Sequence, residues 1–209
     1  MKNFQKILIA SNNQGKIKEF KALFEPLNIE ILSLRDLNIE SHPEENGLTF
    51  IENALIKARD AAKKSGLPTL ADDSGLVVPA LKGEPGIYSA RYSDSGNDHD
   101  NNLKLLEKMS HLSGADRAAY FKAVLVLLRN AEDPVPLIAE GEVHGFITEN
   151  IEGNEGFGYD PLFFYPEKQS TFGLLPPALK NQISHRNNAL QQLLKKSHQY
   201  NQYLKQLST

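Results

Sequence analysis

The chain has 209 residues, of which 40% are hydrophobic and 23% charged, a composition typical of one soluble globular domain over residues 1–209. Its formal charge of −3 argues against a protein that binds nucleic acid through a basic surface, and the absence of cysteine excludes disulfides, thiolate metal sites and a cysteine nucleophile. The first apolar run, Ile7–Ala10, is too short for a signal peptide or a membrane span. We therefore expect a cytoplasmic protein without a membrane role.

The first predicted unit is a strand, a polar loop and a helix. Ile7–Ala10 is continuously apolar, which indicates a strand buried on both faces, and a helical pattern begins near Lys16 and ends before Pro26. This arrangement places backbone N–H groups and Lys16 at a helix N-terminus, where anions bind favourably. It is not a P-loop, because Ile17 follows Gly15-Lys16. A capped turn with a surface lysine explains the spacing equally well.

A second strand is predicted over residues 28–34 and a second helix from about Thr49 to Ser65. Glu52 follows Thr49 by three residues, as in a capping box. Glu45 lies in the polar loop before this helix, where an acidic residue favours the helix dipole. Lys57 lies in the helix interior, and its periodicity indicates an ordinary solvated lysine.

Two adjacent carboxylates, Asp72 and Asp73, follow the apolar run 67–70. Ser74 and Gly75 are turn-forming residues, so we expect a turn that places at least one carboxylate at a strand end, where α/β proteins bind ligands. Oxygen ligands of this kind suit Mg²⁺. The alternative is an aspartate-rich turn that only caps the next element.

The middle of the chain predicts a polar loop from Asp94 to Asp100, a helix over residues 101–110, and a long antiparallel hairpin formed by Ala118–Leu128 and Leu137–Ile147. Strands and helices alternate before this hairpin. The expected fold class is therefore α/β, with a central mixed, twisted sheet flanked by helices.

Two further stretches are candidates for ligand contacts. The glycine-rich loop 153–161 carries Phe157 and Tyr159, which are suited to stacking on a base, although an aromatic-anchored turn before a short strand has the same pattern. Lys180, His185 and Arg186 form a basic cluster near the start of a terminal helix that extends to Leu207. A planar guanidinium suits phosphate oxygens or a purine carbonyl, whereas a histidine at that position also suits a helix cap.

Six short motifs, each weak alone, follow one another along almost the whole chain. They are Ser11-x-Asn13-x-x-Lys16-x-x-Glu19, Glu45-x-Gly47-x-Thr49-Phe50-x-x-Asn53-Ala54, Ala71-Asp72-Asp73-Ser74-Gly75-Leu76, Pro85-Gly86-Ile87-Tyr88-Ser89-Ala90-Arg91, Gly156-Phe157-Gly158-Tyr159-Asp160-Pro161 and Ser184-His185-Arg186. In this order and spacing the chain resembles the inosine triphosphate pyrophosphatases, also called non-standard purine NTP pyrophosphatases.

The resemblance implies hydrolysis of ITP, dITP and XTP to the monophosphate and pyrophosphate, dependence on Mg²⁺, and a homodimer. It also implies a two-lobed α/β fold with the active site in the cleft between the lobes. Ser11, Asn13 and Lys16 match the triphosphate-binding loop of that family.

The other functional positions of the family also have counterparts here. Asp73 matches the proton acceptor and, together with Glu45, the metal-associated carboxylates. Lys57 matches a lysine that faces the phosphates, and Ser74 matches a substrate contact. The base-recognition positions match Phe157, Gly158, Tyr159, Asp160, Lys180, His185 and Arg186. The chain departs from the family at Pro177-Ala178-Leu179, where acidic residues usually precede the matched lysine.

These matches lead to a mechanistic hypothesis, in which Asp73 orients or deprotonates a water that attacks the α-phosphorus while Glu45 helps to hold the ion. The C6 carbonyl of inosine or xanthine would accept a hydrogen bond from His185, from Arg186 or from a backbone N–H of residues 157–160. Two alternatives stay open: a related pyrophosphatase that acts on other modified nucleotides, and a nucleotide-binding protein without catalysis.

Overall fold

The computed structural model describes the backbone of residues 5–207 and the side chains of residues 5–198. Within this part of the chain, seven strands form one sheet in the order β2-β1-β3-β4-β5-β6-β7. Strand β1 is parallel to β2 and β3, whereas β6 is antiparallel to β5 and β7, so the predicted mixed sheet is confirmed. The strands are β1 (Lys6–Ile9), β2 (Glu30–Ser33), β3 (Thr69–Val77), β4 (Ala118–Leu128), β5 (Leu137–Ile147), β6 (Phe163–Tyr165) and β7 (Ser170–Thr171).

Five α-helices lie in the described residues, and short 3₁₀ segments join many of the elements. The helices are α1 (Gln14–Phe24), α2 (Phe50–Ser65), α3 (Asp98–Lys108), α4 (Pro177–Ile183) and α5 (His185–Leu207). The prediction missed α4 and placed the start of α3 three residues late. The side chain of Asn97 accepts a hydrogen bond from the Asp100 N–H at 2.9 Å, so the polar stretch before Asn101 is the capped first turn of α3. Among the described residues, no helix has both the length and the hydrophobicity needed to cross a membrane.

The chain divides into two compact units, with boundaries inside β3, β4 and β5. Unit 1 contains the residues up to Asp73, Ala123–Gly141 and the chain from Arg186 onward. Unit 2 contains Ser74–Lys122 and Glu142–His185.

The core of unit 1 forms around β1, which is buried on both faces as predicted. Ile7 and Ile9 pack in one apolar cluster with Phe20 of α1, whereas Leu8 packs in another with Ala58 of α2. Successive side chains of a strand point to opposite faces, and this alternation explains why an uninterrupted apolar run is needed. The alanine-rich face of α2 allows its backbone to approach the sheet closely.

The core of unit 2 is aromatic. Phe121, Phe163 and Phe172 pack in one cluster, with ring centroids 4.6–6.0 Å apart, together with Leu105 of α3 and Met109, which follows α3 directly. Aromatic pairs at such distances contribute stabilisation beyond their buried area. This core supports α3 against the strands of unit 2.

The predicted turn at Ser74-Gly75 is wrong, because β3 continues without a break from Thr69 to Val77. Gly75 serves a close approach of two backbone segments. A Cβ added there would lie 2.3 Å from the Gly86 carbonyl oxygen and 2.4 Å from the Ser89 hydroxyl oxygen. Glycine within a strand commonly marks such an approach. Asp72 and Asp73 therefore lie inside a rigid strand.

We expect Gly75→Ala to lower the free energy of unfolding by about 1–3 kcal/mol, since the added methyl group overlaps backbone that cannot move independently. Chemical denaturation followed by circular dichroism measures this change. Gly66→Ala is the comparison, because its added Cβ meets no atom within 4 Å and its cost comes only from a φ of +68°. A Gly75→Ala protein as stable as the wild type would contradict the close approach.

Candidate functional site

The charged residues of unit 1 gather on either side of the aspartate pair. The Asp72 Oδ2 atom lies 2.7 Å from the Lys16 ammonium and 3.5 Å from the Arg186 Nε. The same arginine places Nη1 2.8 Å from the Glu19 Oε2. Lys16 and Glu19 are three residues apart, on the same face of α1. The four side chains therefore form one alternating set of positive and negative charges, which we call the Asp72 cluster.

Burial and pairing set the charge state of this cluster. Burial alone would raise the pKa of Asp72, but the nearby Lys16 and Arg186 charges outweigh it, and the pKa lies far below its ordinary value. The pKa of Lys16 is lowered by burial, against the opposing attraction of Asp72. Asp72 is therefore a permanent anion near neutral pH.

Asp73 has a different environment. Its Oδ1 accepts a hydrogen bond from the Lys57 ammonium at 2.6 Å, and the same ammonium lies 3.2 Å from the Glu45 Oε2. The buried Oδ2 of Asp73 has no hydrogen-bond partner among the described residues. Lys57 is only 14% exposed, so the solvated lysine expected from helical periodicity is wrong. Asp73, Lys57 and Glu45 form what we call the Asp73 cluster.

The pKa values of Asp73 and Lys57 shift in the same direction. Burial raises the pKa of Asp73, although Lys57 and Lys16 oppose the shift. Burial would lower the pKa of Lys57, but Asp73 and Glu45 outweigh it and the pKa is raised. Asp73 is thus a stronger base than an ordinary aspartate, held beside a stable ammonium.

The loop that carries Glu45 is fixed by the start of α2. Thr49 caps the helix by accepting from the Glu52 N–H at 3.2 Å, and the Glu52 carboxylate accepts from the Leu48 N–H at 2.8 Å. The Gly47 N–H donates to the buried Asn53 side chain at 2.9 Å. The predicted capping box is therefore confirmed, and it also positions Glu45.

The start of α1 is organised in a similar way. The Asn13 side chain accepts from the Lys16 N–H at 3.0 Å, and the Ser11 hydroxyl oxygen accepts from the Asn13 N–H at 3.1 Å. The Ser11 hydroxyl and the Asn13 amide group keep donors of their own. Ser11, Asn13 and Lys16 therefore lie at a helix N-terminus, as the sequence predicts.

The oxygen atoms of Glu45 and Asp73 fit a hard divalent cation. Across the described residues, no group of three or more His, Cys, Asp or Glu side chains could hold a metal ion. A cation in the Asp73 cluster would therefore be held by two protein carboxylates, those of Glu45 and Asp73. Mg²⁺ is commonly bound by one or two carboxylates together with water and substrate phosphates.

The glycine-rich loop of unit 2 is closed by the Asp160 carboxylate. Its Oδ2 accepts from the Phe157 N–H at 2.8 Å and from the Lys180 ammonium at 2.5 Å. Gly156 has a φ of +79°, and a Cβ there would lie 2.1 Å from the same oxygen. The Lys180 ammonium lies 4.7 Å from the centre of the Phe157 ring. The proline that departs from the family pattern, Pro177, begins α4, which carries Lys180 to this position.

Two other aromatic contacts shape unit 2. The buried Tyr159 donates its hydroxyl to the Ser89 carbonyl at 2.9 Å, and burial raises the pKa of Tyr159. The His185 ring stacks on Phe121 with a centroid distance of 4.9 Å. Tyr159 therefore anchors the loop, while Phe157 is only partly buried.

The structure distributes the predicted site residues between the two units. In unit 1 lie Ser11, Asn13, Lys16, Glu45, Lys57, Asp73 and Arg186. In unit 2 lie Ser74, Phe157, Gly158, Tyr159, Asp160, Lys180 and His185. Although adjacent to His185, Arg186 binds Asp72 and Glu19 in unit 1.

Sequence reasoning assigned no role to Glu19, Asp98 or Asn102 and left that of Asp72 open. The spacing of Lys16 and Glu19 was the available signal for Glu19, because it places both on one helix face. The spacing of Asp98 and Asn102 gives the same signal in α3, where both contact Gly158.

Comparison with known proteins identifies close relatives. The Ham1 family model matches residues 7–196. The chain is 52% identical over 193 residues to the dITP/XTP pyrophosphatase of Haemophilus influenzae, a match that covers 92% of this chain and 98% of that protein. It is 50% identical over 191 residues to the dITP/XTP pyrophosphatase of Shigella flexneri, covering 91% and 96%. The solved structure of a HAM1 protein from Coxiella burnetii superimposes with a TM-score of 0.84 at 42% identity, covering 94% and 100%.

We expect Asp72→Asn to lower the free energy of unfolding at pH 7 by roughly 3–5 kcal/mol, because the buried Lys16 ammonium loses its counter-charge. The folded-state pKa of Asp72 is lowered, so its stabilisation is present above the unfolded-state pKa of about 4 and is lost as the pH falls further. Urea denaturation at several pH values measures both effects.

The exposed Asp116 provides a control, since Asp116→Asn should change the stability by less than about 0.5 kcal/mol. If the stability gap between wild type and Asp72→Asn were absent at pH 7, or did not narrow in acid, the proposed charge balance would be wrong.

Proposed function

Because this chain belongs to the Ham1 family, we propose that it hydrolyses non-standard purine nucleoside triphosphates, namely dITP, ITP and XTP, to the monophosphate and pyrophosphate. It is thus a nucleoside-triphosphate pyrophosphatase that removes such nucleotides from the cellular pool. The observation that carries this proposal concerns the Asp73 carboxylate. Its Oδ1 accepts a hydrogen bond from Lys57, whereas its buried Oδ2 has no hydrogen-bond partner among the described residues.

Residues of unit 1 bind the phosphate groups of the substrate. The ammonium groups of Lys16 and Lys57, together with the N–H groups at the start of α1, supply positive charge for the triphosphate. The raised pKa of Lys57 keeps it protonated near neutral pH. Ser11 and Asn13 contribute neutral donors at the same helix end.

Glu45 and Asp73 would hold a Mg²⁺ ion. When bound, the ion neutralises charge on the phosphate oxygens. The supporting feature is the all-oxygen donor set of these two carboxylates, which lie on the same ammonium group. The Lys57 ammonium contacts both carboxylates, so their mutual repulsion is balanced before any substrate binds.

Asp73 accepts the proton of the attacking water at Oδ2. The water oxygen forms a bond to the α-phosphorus, the bond from that phosphorus to the bridging oxygen breaks, and pyrophosphate leaves with the electron pair. Burial raises the pKa of Asp73, which makes its carboxylate a better proton acceptor than a solvated one. Lys57 holds the other carboxylate oxygen and fixes its orientation.

The base is recognised by residues of unit 2. The sequence offers three candidate donors for the C6 carbonyl of inosine or xanthine, namely His185, Arg186 and a backbone N–H of residues 157–160. The N–H groups of Phe157 and Gly158 already donate to carboxylates, and Arg186 already donates to Glu19 and Asp72. The donor stays a prediction among these three candidates, and we favour the partly buried Phe157 ring as the stacking surface, worth ~1–3 kcal/mol for one base. The substrate contact of Ser74 stays a prediction, as do the homodimer and the cytoplasmic location.

The first test is a product analysis with dITP, ITP, XTP, dGTP, ATP and a modified pyrimidine triphosphate in the presence of Mg²⁺. We expect monophosphate and pyrophosphate, with kcat/KM for dITP at least about 100-fold above that for ATP, since adenine lacks the C6 carbonyl. In H₂¹⁸O, mass spectrometry should find the label in the monophosphate, because water attacks the α-phosphorus.

Label in the pyrophosphate, or diphosphate and orthophosphate as products, would contradict this reaction. A preference for the pyrimidine substrate would favour the related pyrophosphatases. Binding without turnover would favour a nucleotide-binding protein.

A second test concerns the proton acceptor. Asp73→Asn should lower kcat about 10²- to 10⁴-fold, because the amide keeps the contact with Lys57 but accepts no proton. In the wild type, kcat/KM should fall as the pH drops through the raised pKa of Asp73, so the decline begins above the ordinary aspartate value near 3.9.

The control is Asp60→Asn, since Asp60 is an aspartate of α2 that also pairs with a lysine, Lys64, but lies outside the Asp73 cluster. Near-normal kcat in Asp73→Asn would rule out its role as the proton acceptor.

A further inference from the structure

Two side chains of helix α3 bind the backbone N–H and the backbone carbonyl of Gly158. The Gly158 N–H donates to the Asp98 Oδ2 at 2.7 Å, and the Gly158 carbonyl accepts from the Asn102 Nδ2 at 2.9 Å. We call this pair of contacts the Gly158 clamp.

The clamp is itself rigidly supported. Asp98 and Asn102 are four residues apart, on the same face of α3, and the Asn102 Nδ2 also donates to the Asp98 carbonyl at 2.8 Å. Two carbonyl acceptors fix which way the Asn102 amide points. Asn97 caps the helix directly before Asp98. The first turn of α3 is therefore a fixed platform for the loop.

Gly158 depends on such backbone contacts. Its φ is +62°, a conformation that side chains disfavour, and it has no side chain that packing could hold. On its N-terminal side, the Phe157 N–H is bound by Asp160. The two peptide groups that flank the Phe157 Cα atom are thus both fixed, one by Asp160 and the other by the clamp.

We propose that Asp98 and Asn102 are positioning residues for base binding, which hold the Gly158 backbone and thereby direct the Phe157 ring for stacking on the base. This inference rests on the proposed function. Asp98 is exposed and Asn102 is buried, so the surface member can be altered without disturbing the core.

The clamp should affect binding of the base more than the chemical step. Stacking contributes equally to the bound substrate and to the transition state, so its loss raises KM and leaves kcat nearly unchanged. The loss should extend to dGTP as well as dITP, because every base has a face that can stack on an aromatic ring.

The experiment compares the full-length wild type with Asp98→Ala, Asp98→Asn and Asn102→Ala, using dITP and dGTP. We expect KM for dITP to rise about 3- to 10-fold in Asp98→Ala and about 10-fold in Asn102→Ala, with kcat within about twofold. KM for dGTP should rise by a similar factor in both variants. Asp98→Asn should recover most of the wild-type KM, because its amide oxygen still accepts from the Gly158 N–H.

The matched control is Asp100→Ala. Asp100 is also an acidic residue of the first turn of α3, but it binds Ser95 and Asn97 and does not contact Gly158. Asp100→Ala removes a negative charge from the helix N-terminus, as Asp98→Ala does. We expect its KM to stay at the wild-type value. Equal KM values in Asp98→Ala and Asp100→Ala would overturn the proposal, as would a fall in kcat at constant KM in both clamp variants.

Amide hydrogen exchange at Gly158 tests the clamp without turnover. Exchange should be faster in Asp98→Ala than in Asp100→Ala, and equal rates would overturn the clamp. A wild-type protein that does not hydrolyse dITP would refute the proposed function instead, and the exchange rates would still decide whether α3 holds the loop.

Discussion

The fully buried carboxylate of Asp72 lies between an ammonium from α1 and a guanidinium from α5. Two opposite charges 4 Å apart attract by about 4 kcal/mol at an effective dielectric constant of 20, whereas burying each ion costs several kcal/mol. The gain and the cost are similar, so the cluster contributes little net stability while all members are present. Removing one member leaves the others buried and uncompensated. Asp72 thus makes the positions of α1, β3 and α5 within unit 1 depend on one another.

The neighbouring carboxylate differs because its surroundings differ. Asp72 contacts two cations, Lys16 and Arg186, and its pKa is strongly lowered. Asp73 contacts one, Lys57, and burial keeps its pKa raised. The two adjacent aspartates therefore differ in how readily they accept a proton. Environments that push the pKa values of two carboxylates apart are characteristic of sites in which one acts structurally and the other in proton transfer.

The local elements of the fold were predictable from the sequence, but the partners of the charged residues were not. The apolar run of β1, the N-terminus of α1 and the Thr49–Glu52 capping box follow from short-range patterns, and all three are confirmed. The contact between Asp72 and Arg186 joins residues 114 positions apart, a separation that no local pattern encodes. Helical periodicity likewise identifies the face of α2 that carries Lys57 without identifying Asp73 opposite it. Gly75 was misread as a turn because a strand glycine and a turn glycine look alike until the neighbouring backbone is known.

The uninterrupted strand β3 has a consequence for how this site can vary. Alternation in a strand sends Asp72 and Asp73 to opposite faces, each toward its own set of cations. Shifting a strand by one residue exchanges its two faces. A single-residue insertion between Thr69 and Asp72 would therefore move Asp72 to the place of Asp73 and Asp73 to the place of Ser74, so both clusters would lose their present partners although every charge in the chain is kept. The number of residues that precede Asp72 in β3 is thus as important to both clusters as the identity of the two aspartates.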